Sequence, residues 1–166
     1  MQDGKNNRTS TTESSNQASG AGVEEVQGND AGKVYRCRFP NGTLIPRSEV
    51  EVMYLGDDFA WRKQKGMALW DTGSTWTTIS KAVADRIGAK LTPGAGVKGI
   101  DDKKESWDTI VNLRIGRDMV IPFTEVSVID YSDDNHPDVI IGMDIIASGR
   151  FEIDSTGDET ILTFEL

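Results

Sequence analysis

The sequence predicts an all-β domain that follows a polar segment. After residue 33, most of the chain divides into short runs in which apolar and polar residues alternate, a pattern typical of half-buried strands. Clusters of Gly, Pro, Asn and Asp separate these runs, as turns do. Helical spacing is confined to one or two short segments, and a chain of 166 residues suits one folded domain.

Composition limits the classes of partner. The net charge is −9 and the isoelectric point is about 4.6, which disfavours binding to nucleic acid or to an anionic membrane. The single cysteine, Cys37, excludes an internal disulfide and a cysteine-rich metal site, and its alternating surroundings predict a packing role. No apolar run has membrane-spanning length and no secretion signal is visible, so the default expectation is the cytoplasm. A removed signal or anchor is the alternative.

The first part of the chain is expected to be disordered. Residues 1–33 are dominated by Ser, Thr, Asn, Gln and Gly, and they contain no aromatic side chain. Such a segment buries too little apolar surface to offset the conformational entropy lost on folding. We therefore expect a disordered segment at 1–33 and a folded domain at 34–166.

The folded part is predicted to open with strands. Residues 34–39, the turn signal at 40–43 and residues 44–46 predict a β-hairpin. Residues 49–55 alternate and predict a half-buried strand. Residues 56–66 form a polar, charged stretch that we expect to be a loop, with two aromatic residues that either cover the core or take part in binding.

A carboxylate follows the next apolar run. Residues 67–70 predict a buried strand that leads directly into Asp71-Thr72-Gly73, after which the chain leaves on a Thr-rich alternating segment. Gly73 permits a positive φ or a close backbone approach at this turn. Backbone N–H groups and hydroxyls around the turn can hold Asp71 ionised. The triplet alone is a weak signal, but the apolar segment Asp-Val-Ile-Ile-Gly-Met-Asp-Ile-Ile at 138–146 strengthens it.

A short helix and a long hairpin are predicted next. Ser80 is a natural N-cap and Gly88 a natural C-terminal stop, and Val83 and Ile87 stand four residues apart on one apolar face. Residues 91–108 contain several glycines and a charged tip, which predicts a mobile hairpin. The alternating residues 107–115 form its returning strand.

The last third of the chain is predicted to be mainly β. Residues 120–129 form a strand in which Pro122 marks an edge or a bulge. Residues 139–141 are a fully apolar strand, and 143–147 a short helix. Residues 150–154 and 160–166 are predicted to pair as a final hairpin.

Other kinds of active site find little support. His136 lies in a polar loop, and neither a nucleophile elbow nor another suitably placed nucleophile accompanies it. One His and one Cys are too few for a zinc site. Asp85 lacks a turn like that of Asp71. The stretch Asp154-Ser155-Thr156-Gly157 differs from the Asp71 triplet by an extra residue between the acid and the glycine, and it is explained by turn chemistry. We therefore expect neither a histidine-based active site nor a metal site, and no cofactor.

The segments around Asp71 and Gly142 resemble those of the retropepsin-like aspartic proteases, the single-lobed relatives of pepsin. The resemblance covers roughly residues 50–153 and implies a closed β-barrel that pairs with a second copy. It implies that Asp71 is catalytic, that Thr72 braces the paired turns and that Gly73 shapes them. It suggests structural support behind the loop from Ile141, Gly142 and Asp144. It suggests substrate contacts from Ser74, Val97, Gly99 and Ile100, and the last three of these lie on a flap within residues 91–108.

The chain departs from the viral pattern at two places. Viral members often carry an ion pair where this chain has Thr75 and Met143. Because both partners are replaced together, no unpaired buried charge remains, which would be costly. The resemblance implies an aspartic endopeptidase that acts on extended peptides as a homodimer. A peptide-binding domain that does not cleave, and a scaffold in which Asp71 only caps a turn, are the alternatives.

Overall fold

The computed structural model describes residues 23–29, 32–94, 97–98, 103–104, 106–131 and 136–166. Most of these residues lie in strands, as the sequence predicts. The strands are β1 (Val23–Asn29), β2 (Gly32–Pro40), β3 (Arg47–Leu55), β4 (Trp61–Trp70), β5 (Thr78–Ser80), β6 (Thr92–Pro93), β7 (Val97–Lys98), β8 (Lys103–Lys104), β9 (Ser106–Ile115), β10 (Met119–Ile129), β11 (Val139–Ile141), β12 (Arg150–Asp154) and β13 (Glu159–Glu165). The helices are α1 (Lys81–Arg86) and α2 (Met143–Ile146).

Six strands close into a barrel. Their order is β10-β5-β11-β4-β3-β9, and β9 pairs in turn with β10, which closes the sheet on itself. The closed all-β barrel with two short helices is thereby confirmed. The short strand β11 lies between β4 and β5, parallel to the first and antiparallel to the second. This insertion brings the segment after residue 138 against the end of β4, where Asp71 follows.

The remaining long strands form a second sheet of order β1-β2-β13-β12. The hairpin predicted at 34–46 is therefore wrong. β2 pairs with β1 and β13, while residues 41–46 form turns and lead into β3 in the barrel. The physical reason is burial: the inward side chains of β2, Tyr35 and Phe39 among them, pack in a core shared with Leu162 and Phe164 of β13.

Strand β1 lies inside the segment that composition predicts to be disordered. It pairs antiparallel with β2, from Val23↔Arg38 to Asn29↔Gly32. Main-chain pairing of this kind satisfies backbone hydrogen bonds without requiring apolar side chains, so composition alone does not reveal it. Residues 1–22, 30 and 31 lie outside the described residues, and the domain division at residue 33 stays a prediction.

The loop predicted at 56–66 is mostly strand. Only 56–60 form a turn, because β4 already begins at Trp61 and pairs with β3 as far as Arg47↔Leu69. The first half of β4 carries mostly exposed side chains, several of them charged, so the sequence there is typical of a loop rather than of a half-buried strand. By contrast, α1 forms as predicted, with the Val83 N–H donating to the Ser80 hydroxyl at 3.3 Å. The predicted bulge at Pro122 is also confirmed, between Ile121 and Thr124.

An aromatic cluster joins the two sheets. The ring of Trp70 stacks on Tyr35 and Phe151, with centroids 6.1 and 5.4 Å apart, and tilts against Phe164 at 5.2 Å. Burying one such side chain contributes roughly 2–3 kcal/mol. Cys37 is buried in the same core, which confirms its packing role. The helices found in the described ranges are too short to cross a bilayer.

Candidate active site

The turn after β4 holds the carboxyl group of Asp71 by one of its oxygens. The Gly73 N–H donates to Asp71 Oδ1 at 2.8 Å, and the Ser74 N–H donates to the Asp71 carbonyl at 3.1 Å. Gly73 serves close approach rather than positive φ, since a Cβ there would lie 3.1 Å from Asp71 Oδ1. Within the described residues, Asp71 Oδ2 has no hydrogen-bond partner, so it can bind another molecule.

The turn is fixed from behind by β11 and the start of α2. The Asp71 N–H donates to the Ile141 carbonyl at 3.1 Å, and the Met143 N–H donates to the Ser74 carbonyl at 2.8 Å. Gly142 lies so close to the turn that an added Cβ would sit 2.6 Å from the backbone carbon of Trp76. Any larger residue at position 142 would push the two segments apart.

A buried hydroxyl and a carboxylate join the same two segments. Asp144 accepts three hydrogen bonds, from the Thr77 N–H at 3.0 Å, the Thr77 hydroxyl at 2.7 Å and the Ile145 N–H at 3.0 Å. The Thr77 hydroxyl in turn accepts from the Gly142 N–H at 3.1 Å. Hydrogen bonds to a carboxylate are stronger than neutral ones, so this network holds the turn at a defined position relative to α2.

Sequence reasoning missed Thr77. The only signal in the sequence is a threonine directly before β5, two positions ahead of the buried, apolar Ile79. Thr77 is fully buried, and a buried hydroxyl needs partners. Those partners lie 65 and 67 residues away in the chain, beyond the reach of local patterns.

A second acid, Asp138, was also missed. Its Oδ2 accepts from the Met67 N–H at 2.9 Å, and its carbonyl accepts from the Ser80 N–H at 2.8 Å. Gly66 makes room for it, because a Cβ there would lie 2.7 Å from Asp138 Cβ. Asp138 thus ties the start of β11 to both of its neighbouring strands and fixes where residue 141 meets Asp71.

The predicted site residues divide into those the structure brings together and those it does not describe. Asp71, Ser74 and the three predicted support residues meet at one turn, where Thr72 and Gly73 are exposed. The Ser74 hydroxyl donates to the Trp76 carbonyl at 2.8 Å. Val97 pairs through its backbone with Lys104, as a hairpin requires. Gly99 and Ile100 lie outside the described residues, and the substrate contacts assigned to this hairpin stay predictions.

The other polar candidates have structural explanations. His136 is exposed and stacks on Tyr131 at 4.2 Å, and burial raises the pKa of the Tyr131 phenol above its ordinary value of 10.0. Asp154 accepts from both the N–H and the hydroxyl of Thr156, which lowers the pKa of its carboxyl and confirms a turn. Asp85 pairs with Lys81 in solvent. Among the described residues, no cluster of three or more metal-ligating side chains is present.

Comparison with known proteins gives one family match. Residues 50–145, more than half of the chain, match the family model described as aspartyl protease. No curated protein sequence matches the chain.

Three solved structures are similar to this chain at low identity. A retropepsin-like aspartic protease from Rickettsia conorii is 13% identical, with 84% of this chain and 99% of that chain covered and a TM-score of 0.49. EIAV protease in complex with an inhibitor is 22% identical, with coverages of 65% and 90% and a TM-score of 0.47. The retroviral protease-like domain of Ddi1 from Leishmania major is 22% identical, with coverages of 72% and 93% and a TM-score of 0.41.

The family match coincides with the part of the chain that builds the barrel and the Asp71 turn. It begins in β3 and ends in α2, so it contains both the Asp-Thr-Gly triplet and the Gly142 segment that supports it. The chain belongs to the aspartyl protease family, and the matched residues contain most of its single closed barrel.

Proposed function

We propose that this protein is an aspartic endopeptidase that works as a homodimer, with water activated between two Asp71 carboxyl groups, one from each chain. The observation that carries the proposal is the geometry of Asp71. One oxygen is held by the Gly73 N–H while the other has no partner in the described residues. A carboxylate held in this way is positioned to bind water and to exchange a proton with it.

Two carboxyl groups are needed for this chemistry. One takes a proton from water as a base while the other donates a proton to the substrate carbonyl oxygen. Asp144, the acid bonded to the same turn, is unsuited to be the second, because it directs both oxygens at Thr77 and Ile145. A two-fold axis through the turn supplies an identical Asp71 instead.

Exposed apolar residues beside the turn support a partner copy. Leu44 is 80% and Ile45 56% exposed, on a loop held to β4 by the bond from the Trp70 N–H to the Pro46 carbonyl. Ile153 is exposed on β12, the edge strand that packs through Phe151 against Trp70. These exposed apolar side chains thus belong to the two segments that contact Trp70, the residue before Asp71. Apolar surface so placed suits a self-complementary interface, which typically buries about 800 Å² per partner.

In the proposed mechanism, the substrate is an extended peptide that pairs its backbone with strand edges of the cleft. The Gly73 N–H, by donating to Asp71 Oδ1, fixes the orientation of the carboxyl group that acts as base. We assign Thr72 to the contact between the two turns, as the family resemblance implies. The hairpin of β7 and β8 is assigned to the flap, with Val97, Gly99 and Ile100 as its substrate contacts together with Ser74.

The test is cleavage of a mixed peptide library by the full chain, with and without pepstatin. We expect cleavage that pepstatin abolishes and that Asp71→Asn eliminates, while the unfolding midpoint of the variant stays near that of the parent. Asp85→Asn is the matched control, since Asp85 is an exposed acid paired with Lys81, and we expect this variant to cleave normally. Undiminished cleavage by purified Asp71→Asn would overturn the assignment. Saturable peptide binding without cleavage by the parent would favour the non-cleaving alternative.

A further inference from the structure

A second apolar surface lies at the end of β4 remote from Asp71. An open groove of about 470 Å³ runs between the end of β3, the start of β4 and the middle of β9. Single exposed hydrophobic residues are ordinary on protein surfaces, but several around one concavity indicate a binding site. This groove is lined by four large apolar side chains that are 43–79% exposed, namely Leu55, Trp61, Ile110 and Phe123.

The groove is also a gap in the sheet. Pairing between β3 and β9 ends at Met53↔Asn112, although β3 continues to Leu55. On the other side of the gap, β9 next meets β6 at Thr92↔Asp108. The backbone of Tyr54 and Leu55 is therefore not paired with that of Ile110 and Val111, and all four residues line the groove. Separated strand edges of this kind can accept an extended peptide by strand addition.

Phe123 is held at the rim in an unfavourable backbone conformation. Its φ is +51°, a left-handed value that bulky residues avoid, and its side chain is 79% exposed. The Phe123 N–H donates to Asn112 Oδ1 at 2.8 Å, which fixes the bulge. Phe59 has nearly the same φ, +58°, and is 85% exposed, but it does not line the groove. Phe59 is therefore a natural control for Phe123.

The charges around the groove favour a basic occupant. Asp108 and Glu125 line it, and neither forms an ion pair with any cation in the described part of the chain. The lining cation Lys90 lies 4.0 Å from Asp57, so its charge is already partly balanced. The groove thus presents apolar surface with an excess of negative charge, on a chain of net charge −9.

We propose that this groove binds an extended segment of a partner protein that carries bulky apolar side chains and a flanking lysine or arginine. The segment adds a strand between β3 and β9, packs on Trp61 and Phe123, and places its cation near Glu125. Strand β4 has nine residue steps between Trp61 and Trp70, so the groove lies about 25–30 Å along the strand from the Asp71 turn. The groove is therefore remote from the Asp71 turn, and binding there does not depend on cleavage.

Binding is tested with the Asp71→Asn chain, which leaves the probe intact. The probe is a blocked, fluorescently labelled heptapeptide of alternating Leu and Thr with Lys at both ends, followed by fluorescence anisotropy. The comparison probe has Glu in place of both Lys. We expect saturable binding of the Lys probe and at least about tenfold weaker binding of the Glu probe, a difference of about 1.4 kcal/mol. Equal binding of the two probes, or no binding of either, overturns the proposal.

Two glycine substitutions locate the site. Phe123→Gly removes the ring and relieves the left-handed strain, so the variant is expected to fold while its affinity for the Lys probe falls at least about tenfold. Phe59→Gly relieves the same strain outside the groove and should bind like the parent. Parent-like binding by Phe123→Gly, or equal losses in both variants, overturns the proposal. A change of sedimentation state in Phe123→Gly alone would also overturn it, because the groove would then be a contact between copies.

Discussion

Replacing Thr77 by Val should cost far more stability than a single methyl-for-hydroxyl exchange suggests. Valine keeps the shape of the fully buried side chain but removes the 2.7 Å hydrogen bond to Asp144 and the acceptor of the Gly142 N–H. A hydrogen bond to a charged group contributes about 1.5–3 kcal/mol, and a buried N–H left without a partner costs about 1–3 kcal/mol. Because both losses occur at one site, we expect the free energy of unfolding to fall by about 3–5 kcal/mol.

The measurement is urea unfolding of the parent and the variant at neutral pH. An unchanged m value, the slope of the free energy of unfolding against urea concentration, would show that the folded and unfolded states are as compact as in the parent. Thr156→Val is the matched control. The Thr156 hydroxyl also donates to an aspartate, Asp154, at 2.7 Å, but in an exposed turn. The unfolding midpoint of the Thr156→Val variant should therefore stay close to that of the parent. If Thr77→Val moved the midpoint no further than Thr156→Val, the network behind the turn would not stabilise the fold in the way that we infer.

Three further predictions concern titration and assembly. Peptide cleavage should follow a two-limbed pH profile at acid to near-neutral pH, because the proposed mechanism needs one proton shared by two Asp71 carboxyl groups; initial rates that keep rising into alkaline solution would contradict a carboxylate pair. Cleavage per chain should fall on dilution to roughly micromolar concentration, since the ion pair of viral relatives is absent at Thr75 and Met143, and excess Asp71→Asn chain should inhibit the parent. A rate strictly proportional to concentration, from a species that sediments as a monomer, would exclude a shared site. Burial raises the pKa of Tyr131 above 10.0, with the hydrogen bond to Thr78 opposing it. The folded state therefore keeps the phenol proton longer, and stability should be lost as the pH rises from 10.0 through the raised value. Tyr131→Phe should remove that part of the loss in unfolding curves measured above pH 9, and an identical decline in the variant would refute the assignment.

The parts of the fold that follow from local pattern could be predicted from the sequence. β9 alternates strictly from Val111 to Ile115, and its burial alternates in the same way, because successive side chains of a strand face opposite sides. The cap at Ser80 depends on a hydroxyl three residues from its donor, so it too is visible in the chain. The Asp71 turn and the Gly142 segment carry motifs of their own.

What could not be predicted depends on partners that are distant in the chain. The local pattern predicts a hairpin between β2 and residues 44–46, yet β2 pairs with β13, whose residues are more than 100 positions away. β1 has little apolar content and is held by main-chain bonds, which leave no trace in composition. The role of Thr77 depends on Asp144, and that of Asp138 on a glycine that makes room at position 66. Tertiary contacts of this kind are set by the closed barrel, and no short window of sequence contains them.

The aromatic cluster around Trp70 has a consequence for how the protein is made on the ribosome. Tyr35 is synthesised long before Trp70, whereas Phe151 and Phe164 emerge well after it. Trp70, the residue before Asp71, therefore lacks two of its three aromatic neighbours until Phe151 and Phe164 have left the exit tunnel. Since domains fold as their contacts become available during translation, a nascent chain cannot hold the Asp71 turn in its final position. The order of synthesis thus delays the final packing of the Asp71 turn until both the barrel and the sheet of β1, β2, β13 and β12 have formed.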